Sequence, residues 1–317
     1  MSNAFDAPHF QNPENARGWL ESTRWPEGPV CPHCGSLAAA YATKRAGLYR
    51  CAEKECRKDF TVTTGTVMER SHIALNKWLM AFYLMSASKK GMSAHQLHRA
   101  LGVTYKAAWF MCHRIREAMR PDAGPGSDPL GGKGKTVEAD ETYFGYYEGA
   151  RERTKTSTGK KPTKRGRSGP GGKRAIVSLV ERGGLVRSFH AAVADQDTVC
   201  KIVRENVAQE SRLHTDESKL YAPRFTRIRD HERVKHSAGE YVRGDVHTNT
   251  VEGYFSIFKR GMRGTYQHCK EKHLHRYLAE FDFRYNNRVA LGIGDIERTI
   301  AAVKGAEGKR LMYRQPD

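Results

Sequence analysis

TVEADETYFG, residues 136–145, sets Val137 and Ala139 against Glu138 and Asp140 and then runs into Tyr143 and Phe144. Apolar residues at every second place mark a strand with one buried face, and Asp140 falls near its predicted end. Downstream, RAIVSLVERG (174–183) and LVRSFHAAV (185–193) read as two further strands, joined as a hairpin through Gly183–Gly184. Between Asp197 and Ala208, the residues Val199, Ile202, Val203 and Val207 recur at helical spacing. A short strand follows in RLHTDESKLY (212–221), with Asp216 just past its apolar part. HTNTVEGYFSIFKRGMRG (247–264) reads as a helix carrying Glu252, with Val251, Phe255 and Phe258 on its apolar side.

The predicted order is strand with Asp, hairpin, helix, strand with Asp, helix with Glu. Two acids at strand ends and one on a helix packed across the sheet can converge on one point. Three carboxylates suit a pair of Mg²⁺ (or Mn²⁺) ions, which take hard oxygen ligands and keep places for water and phosphate. Such a pair clamps an in-line displacement at phosphorus. Glu141 and Glu217 directly follow the two Asp residues, so a shift by one residue is open at both. Neighbours on a strand point to opposite faces, and only one of each pair is expected in the cluster. Asp216 is preferred to Glu217 because it shares a face with His214. Glu138 shares a face with Asp140 and is a candidate supporting group.

The chain's charge agrees with a phosphate substrate. Its 317 residues hold 54 Lys and Arg against 35 Asp and Glu, a net +19, which calls for a polyanionic partner, most commonly nucleic acid. The best apolar run, Trp78 to Met85, is far short of the roughly 20 residues of a membrane span. MSNAFDAPHF at the N-terminus lacks the basic and apolar regions of a secretory signal. A cytoplasmic protein is expected, associated with the nucleoid when on DNA, and its cysteines should then stay out of structural disulfides.

Four of the seven cysteines cluster: Cys31 and Cys34 in CPHCGS, Cys51 and Cys56 in YRCAEKECRKDFTVTTGTVM (49–68). Tyr49, Phe60, Val62 and Thr61–Thr64 read as strand around the second pair. Two cysteine knuckles on hairpins can place four thiolates around a structural Zn²⁺, which so small a module needs in order to fold. From Ile73 to Arg120 the pattern is helical, with Leu75, Trp78, Leu79, Phe82 and Tyr83 in register before Gly91. Ser93 is a candidate N-cap for a helix with Leu97, Ala100 and Leu101 on its apolar face. Past Gly102, Thr104 caps a second helix with Ala107, Ala108, Met111 and Ile115 inward. Two helices about a tight glycine turn predict a helix-turn-helix-like layout, with Tyr105, Lys106, Trp109, His113 and Arg114 as its DNA-facing candidates. RERTKTSTGKKPTKRGRSGPGGKR (151–174) is basic and almost without apolar residues, a loop suited to a phosphate backbone through Lys164, Arg165 and Arg167. In HLHRYLAEFDFRYNNR (273–288), Leu274, Tyr277, Leu278, Phe281 and Tyr285 form a core stripe, and Arg276, Arg284 and Arg288 are further phosphate candidates.

The expected layout is multidomain α/β. Residues 1–71 hold a zinc ribbon at about 25–68, residues 72–120 the helix-turn-helix-like region, and residues 121–135 a linker. Residues 136–290 form the α/β catalytic domain, a mixed sheet flanked by helices with a basic loop at 149–174, and residues 291–317 are a C-terminal tail.

Taken together, the ribbon ending in FTVTTGTVM (60–68), VEADETYFG (137–145), HTDESKLY (214–221) and HTNTVEGYFSIFKRG (247–261) resemble the IS1595-group transposases with an ISXO2-like catalytic domain of the RNase H-like, DDE type. The matching pieces span about Trp25 to Asn287. The resemblance implies that Asp140, Asp216 and Glu252 are the metal-binding acids, with 35 residues between the last two. Lys259, two helical turns after Glu252, stands where the family carries a Lys or Arg that steadies the DNA end, and Arg260 follows it. Some relatives have Asn for the third acid, which leaves Asn249 and His247 as alternative ligands or supporting groups. The four-residue gap between Cys51 and Cys56 departs from the commoner two. The activity implied is hydrolysis at a transposon end followed by attack of the freed 3′-hydroxyl on target DNA. Double-stranded terminal repeats and target DNA are then the partners, a homo-oligomer forms on DNA, and no nucleotide cofactor is needed. Two rival readings are a non-catalytic DNA-binding regulator and an RNase H-like nuclease that cuts without joining.

Overall fold

The computed structural model describes residues 4–37, 40–121, 128–146, 172–222 and 226–312. The chain forms two compact units, Met1–Asp122 with Asn287–Asp317, and Ala123–Asn286.

In the first unit, α1 (Pro8–Gln11) and α2 (Pro13–Arg24) precede a three-stranded antiparallel sheet of β1 (Ala40–Ala42), β2 (Tyr49–Cys51) and β3 (Asp59–Phe60). Its core is aromatic: Trp25 meets Tyr49 and Phe60 edge-on, at 5.6 and 5.8 Å between ring centres. Then come α3 (Leu75–Ala87), α4 (Ala94–Leu101) and α5 (Tyr105–Met119). Ser93 closes a full capping box on α4 with Gln96, and Thr104 accepts from Ala107 N–H at the start of α5. Gly102, at φ +60°, supplies the left-handed residue that ends α4. The apolar face of α4 is narrower than expected, because Leu97 and Leu101 are buried while Ala100 is exposed.

Two boundaries differ from the sequence reading. The expected tail at 291–317 contains α9 (Asp295–Lys304), which packs on α3 and α5. Thr299, Ala302 and Val303 give it a buried stripe, and Arg298 donates from it to the carbonyls of Asn287 and Ser86. Beyond it, Gly308 N–H donates to Gly65 O at 2.9 Å and Val67 N–H to Ala306 O at 3.2 Å, so the C-terminal segment is tied to the end of the ribbon. The expected linker at 121–135 also ends inside the second unit. Leu130 is buried in its core and exchanges backbone hydrogen bonds with Asn206 and Ala208.

The second unit is a five-stranded mixed sheet in the order β6–β5–β4–β7–β8: β4 (Thr136–Tyr146), β5 (Lys173–Glu181), β6 (Val186–Ala191), β7 (Arg212–Thr215) and β8 (Asp230–Arg233). β4, β5 and β6 run antiparallel in a meander, while β7 and β8 run parallel to β4. Gly183, at φ +70°, makes the turn between β5 and β6. Alternation along β5 sends Val177 and Leu179 to one face, against Val199 and Val203 of α6 (Gln196–Asn206). Ile176 and Val180 go to the other, against α7 (Asn249–Gly261) and α8 (Leu274–Asn286). Burying Phe255 and Phe258 of α7 contributes roughly 1.5–3 kcal/mol each toward holding that helix on the sheet.

A polar knot fixes α8 to β6. Asp282 accepts from Ser188 N–H at 2.8 Å, Ser188 Oγ at 2.7 Å and Tyr254 O–H at 2.5 Å. Burial pushes its carboxyl up to about 6 despite these three donors. Because this folded value lies above that of the unfolded chain, near 3.9, the contribution to stability is present below about pH 4 and is lost as pH rises through about 6. Thermal melts of wild type and Asp282→Asn at pH 4 to 7 are expected to show the second unit's transition flatter with pH in the variant. The difference between the two slopes integrates to roughly 3 kcal/mol; parallel profiles would contradict the raised value.

Candidate active site

On β4, Val137 and Ala139 enter the α6 core, so Glu138, Asp140 and Thr142 face α7. Parallel pairing matches Thr136 with Arg212, Val137 with Leu213 and Glu138 with His214, and the same offset carries Asp140 opposite Asp216. β7 stops at Thr215 whereas β4 continues to Tyr146, so Asp140 sits mid-strand rather than near a strand end. What ends there is its neighbour, and Asp216 stands in the gap.

Carboxylate oxygens of Asp140, Glu141 and Asp216 lie within 4.8 Å of one another. The presence of Glu141 corrects the expectation that only one of two adjacent acids could join. Glu141 leaves β4 on the face opposite Asp140, but β4–β7 pairing stops short of this level, and a Glu141 oxygen still comes within 4.8 Å of the two aspartates. There the buried Tyr221 donates to Glu141 Oε2 at 3.0 Å. Strand alternation argues against Glu141, and no other signal in the sequence points to it. Glu217 is turned away, exposed and accepting from Ser237 N–H and Oγ.

Glu252 lies outside this trio, in the first turn of α7, where Thr248 Oγ1 donates to its Oε1 at 3.0 Å. It shares with Asp140 and Glu141 a cleft of about 730 Å³, whose wall continues into Lys259, Arg260 and Arg263. The cleft thus has an acidic floor and a basic rim. Burial, and then the charges of Glu141 and Asp216, pushes the Asp140 carboxyl well above the usual carboxylate range; Glu252 adds to this. Burial and then Asp216 raise Glu141 as well. Burial lowers the Lys259 ammonium, with Asp140 opposing and Arg263 and Lys173 reinforcing the shift. Its Nζ lies 5.9 Å from the centre of the Phe255 ring. So crowded a group of acids favours either a shared proton or a cation, and three hard oxygen donors suit Mg²⁺ or Mn²⁺.

His247 and Asn249 are not placed as ligands of the trio. His247 Nδ1 lies 3.0 Å from Arg182 Nη2 and 3.2 Å from Glu138 Oε1, and Asn249 is exposed at the start of α7.

The second metal candidate is in the first unit. Sγ atoms of Cys31, Cys34, Cys51 and Cys56 fall within 4.8 Å of one another, with Cys31 to Cys56 at 3.8 Å and Cys34 to Cys51 at 3.6 Å. Four sulfurs placed tetrahedrally at about 2.3 Å from zinc are about 3.8 Å apart, so the donor set fits that ion. The longer second knuckle is accommodated by a turn in which Cys56 and Arg57 N–H both donate to Glu53 O.

The expected DNA-facing residues divide. Tyr105 and Lys106 are exposed on the first turn of α5, and Trp109 is half-buried. His113 is buried, at 1 % exposure, and Arg114 spends its guanidinium on the carbonyls of Leu311 and Glu69. For Arg114 the cause is the returning C-terminal segment, whose Leu311 carbonyl takes its Nε–H and which the local pattern does not reveal. Arg260 is exposed on the cleft rim. Arg284 is buried and paired with Glu280, so it is a core residue rather than a phosphate contact. Lys164, Arg165 and Arg167 lie outside the described residues. Among the described residues no helix is long and apolar enough to cross a membrane.

Comparison with known proteins covers both units. Residues 129–286 match the ISXO2-like transposase domain, and residues 11–59 match the transposase zinc-ribbon domain. An uncharacterized protein in transposable element ISH50 of Halobacterium salinarum is 31% identical over 290 residues, covering 87% of this chain and 91% of the relative.

Proposed function

Because the chain belongs to the ISXO2-like transposases of the IS1595 group, we propose that its second unit cuts DNA at the ends of an insertion sequence and joins them to target DNA. The observation that carries this reading is the β4–β7 register, which sets Asp140 opposite Asp216 beside a cleft that also holds Glu252 and Lys259. We read the sheet as RNase H-like and Asp140, Asp216 and Glu252 as its DDE acids. These residues would hold two Mg²⁺ or Mn²⁺ ions, which supply Lewis acidity to the attacking and leaving oxygens of an in-line displacement. Lys259, half-buried against Phe255 on the cleft wall, positions a phosphate of the DNA end, and Arg260 extends the grip along the backbone. Hydrolysis frees a 3′-hydroxyl, and the same acids then serve its attack on the target, with water and then the new end as nucleophile.

The first unit would recognise the terminal repeats through the zinc ribbon and the α4–α5 pair, with Lys106 on the exposed start of α5. Residues 149–174, with Lys164, Arg165 and Arg167, would add contacts to the backbone, and pairing of two ends calls for a homo-oligomer on DNA. The ISXO2-like match over the second unit speaks against a chain that only binds DNA. Incubating the protein with labelled terminal-repeat DNA, target plasmid and Mg²⁺ is expected to yield joined products. Cut ends without joining would make it a nuclease, and binding alone would overturn the proposal.

A further inference from the structure

Glu138 is an acid of the β4 motif that lies outside both the Asp140–Glu141–Asp216 cluster and the cleft. Its carboxylate is fully buried and reads the first turn of α7: it accepts from Thr250 N–H at 2.8 Å, Thr250 Oγ1 at 2.8 Å and Val251 N–H at 3.1 Å. A carboxylate at a helix N-terminus meets unpaired N–H groups and the positive end of the helix dipole. Here the cap comes from another element, since Thr248 makes no side-chain cap of its own. On its other side, Arg182 Nε donates to Glu138 Oε1 at 2.6 Å. The same guanidinium reaches the Asp245 carbonyl at 2.7 Å, the His247 carbonyl at 3.0 Å and His214 Nδ1 at 3.1 Å. One acid and one guanidinium therefore tie together β4, the β5–β6 turn, β7 and the start of α7.

That knot lies between the two halves of the proposed site. Asp140 is two residues from Glu138 on the same face of β4, His214 is two residues before Asp216, and Glu252 is one residue after Val251. Glu252 stands outside the Asp140–Glu141–Asp216 trio, so its distance from the trio depends on where α7 begins. We propose that Glu138 and Arg182 form a positioning clamp that sets Glu252 against Asp140 and Asp216 and thereby tunes the divalent-ion affinity of the site; this rests on the metal-site reading above. Glu138 touches neither substrate nor ion in this role. It is a positioning residue, and its buried charge is tolerated because all its hydrogen bonds are made within one connected network.

The test compares wild type, Glu138→Gln, Arg182→Lys, Thr250→Val and Glu252→Gln in the full chain. Three quantities are read: Mn²⁺ binding from the electron spin resonance of the free ion, terminal-repeat binding, and single-turnover cleavage. Residues that orient ligands typically change metal affinity or activity by about 10–100-fold. Glu138→Gln and Arg182→Lys are expected to weaken Mn²⁺ binding about tenfold and slow cleavage by about 10–100-fold, with DNA binding unchanged. Thr250→Val keeps both backbone donors and the fold, and a loss of about threefold is expected. Combined with Glu252→Gln, Glu138→Gln should weaken Mn²⁺ binding no further than Glu252→Gln alone, because it acts through that residue. Should Glu138→Gln fail to fold, Arg182→Lys and Thr250→Val carry the same comparison. Unchanged Mn²⁺ binding in the clamp variants, or additivity with Glu252→Gln, would overturn the clamp while Glu252→Gln still loses affinity and activity. If Glu252→Gln itself binds Mn²⁺ and cleaves as wild type does, the metal-site reading fails and the clamp with it.

Discussion

Asp140→Ala and Asp216→Asn are each expected to abolish both end cleavage and strand transfer, on the order of a thousandfold or more, in Mg²⁺. DNA-end binding should persist or tighten slightly, since each change removes a negative charge from a surface that meets phosphates. Gel-shift and single-turnover assays on the same preparations separate the two effects. The size of the expected loss follows from the geometry: the β4–β7 register sets the two acids opposite each other, and one neutral side chain breaks that pair. Their double variant should be hardly worse than either single one, because residues that hold one centre act as a unit. Near-normal joining by either single variant would end the assignment of this cleft as the catalytic site. Stability should rise rather than fall in the metal-free variants, because Asp140 is crowded by Glu141 and Asp216.

Cys31→Ser or Cys51→Ser, or stripping zinc with a chelator, is expected to unfold the ribbon and remove terminal-repeat recognition while the second unit keeps its fold. β1, β2 and β3 hold three, three and two residues, too little sheet to persist alone. Structural zinc supplies on the order of 10–16 kcal/mol in peptides of this kind, far more than the aromatic cluster of Trp25, Tyr49 and Phe60 can replace. Metal content by mass spectrometry should fall to zero, and tryptophan emission should shift to the red as Trp25 is released from its 6 % exposed site. Refolding on added Zn²⁺ should restore both. A ribbon that keeps its native emission without metal would show that the four cysteines are merely free thiols.

These two sites were the parts most legible in the sequence, because each rests on local patterns. Cys31 to Cys34 and Cys51 to Cys56 announce knuckles through spacing alone. Ser93, Gly102 and Thr104 announce helix ends through side-chain hydrogen bonding and φ preference, which act over three or four residues. Period-two alternation in 136–145 and helical spacing in 247–264 placed Asp140 and Glu252 on their elements, and the apolar residues chose the buried face.

Tertiary structure decided whatever depends on which element ends first or which distant segment returns. Glu141 enters the acid cluster at the level where β7 has stopped at Thr215; its own residue pattern places it on the wrong face. Arg114 reads as exposed on α5 until Leu311 returns to accept from its guanidinium. Glu138 looks like one more strand acid until the first turn of α7 brings it two N–H donors. Residue 286 ends both α8 and the second unit although the helical pattern runs on to 288; the residues from Asn287 on belong to the first unit. The sequence alone thus placed Asp140 on a strand, Asp216 just past a second strand and Glu252 on a helix, through short-range periodicity. That oxygens of Asp140, Glu141 and Asp216 come within 4.8 Å of one another, and that Glu138 accepts from the first turn of α7, was decided by strand register and helix docking, which are long-range contacts no local pattern encodes.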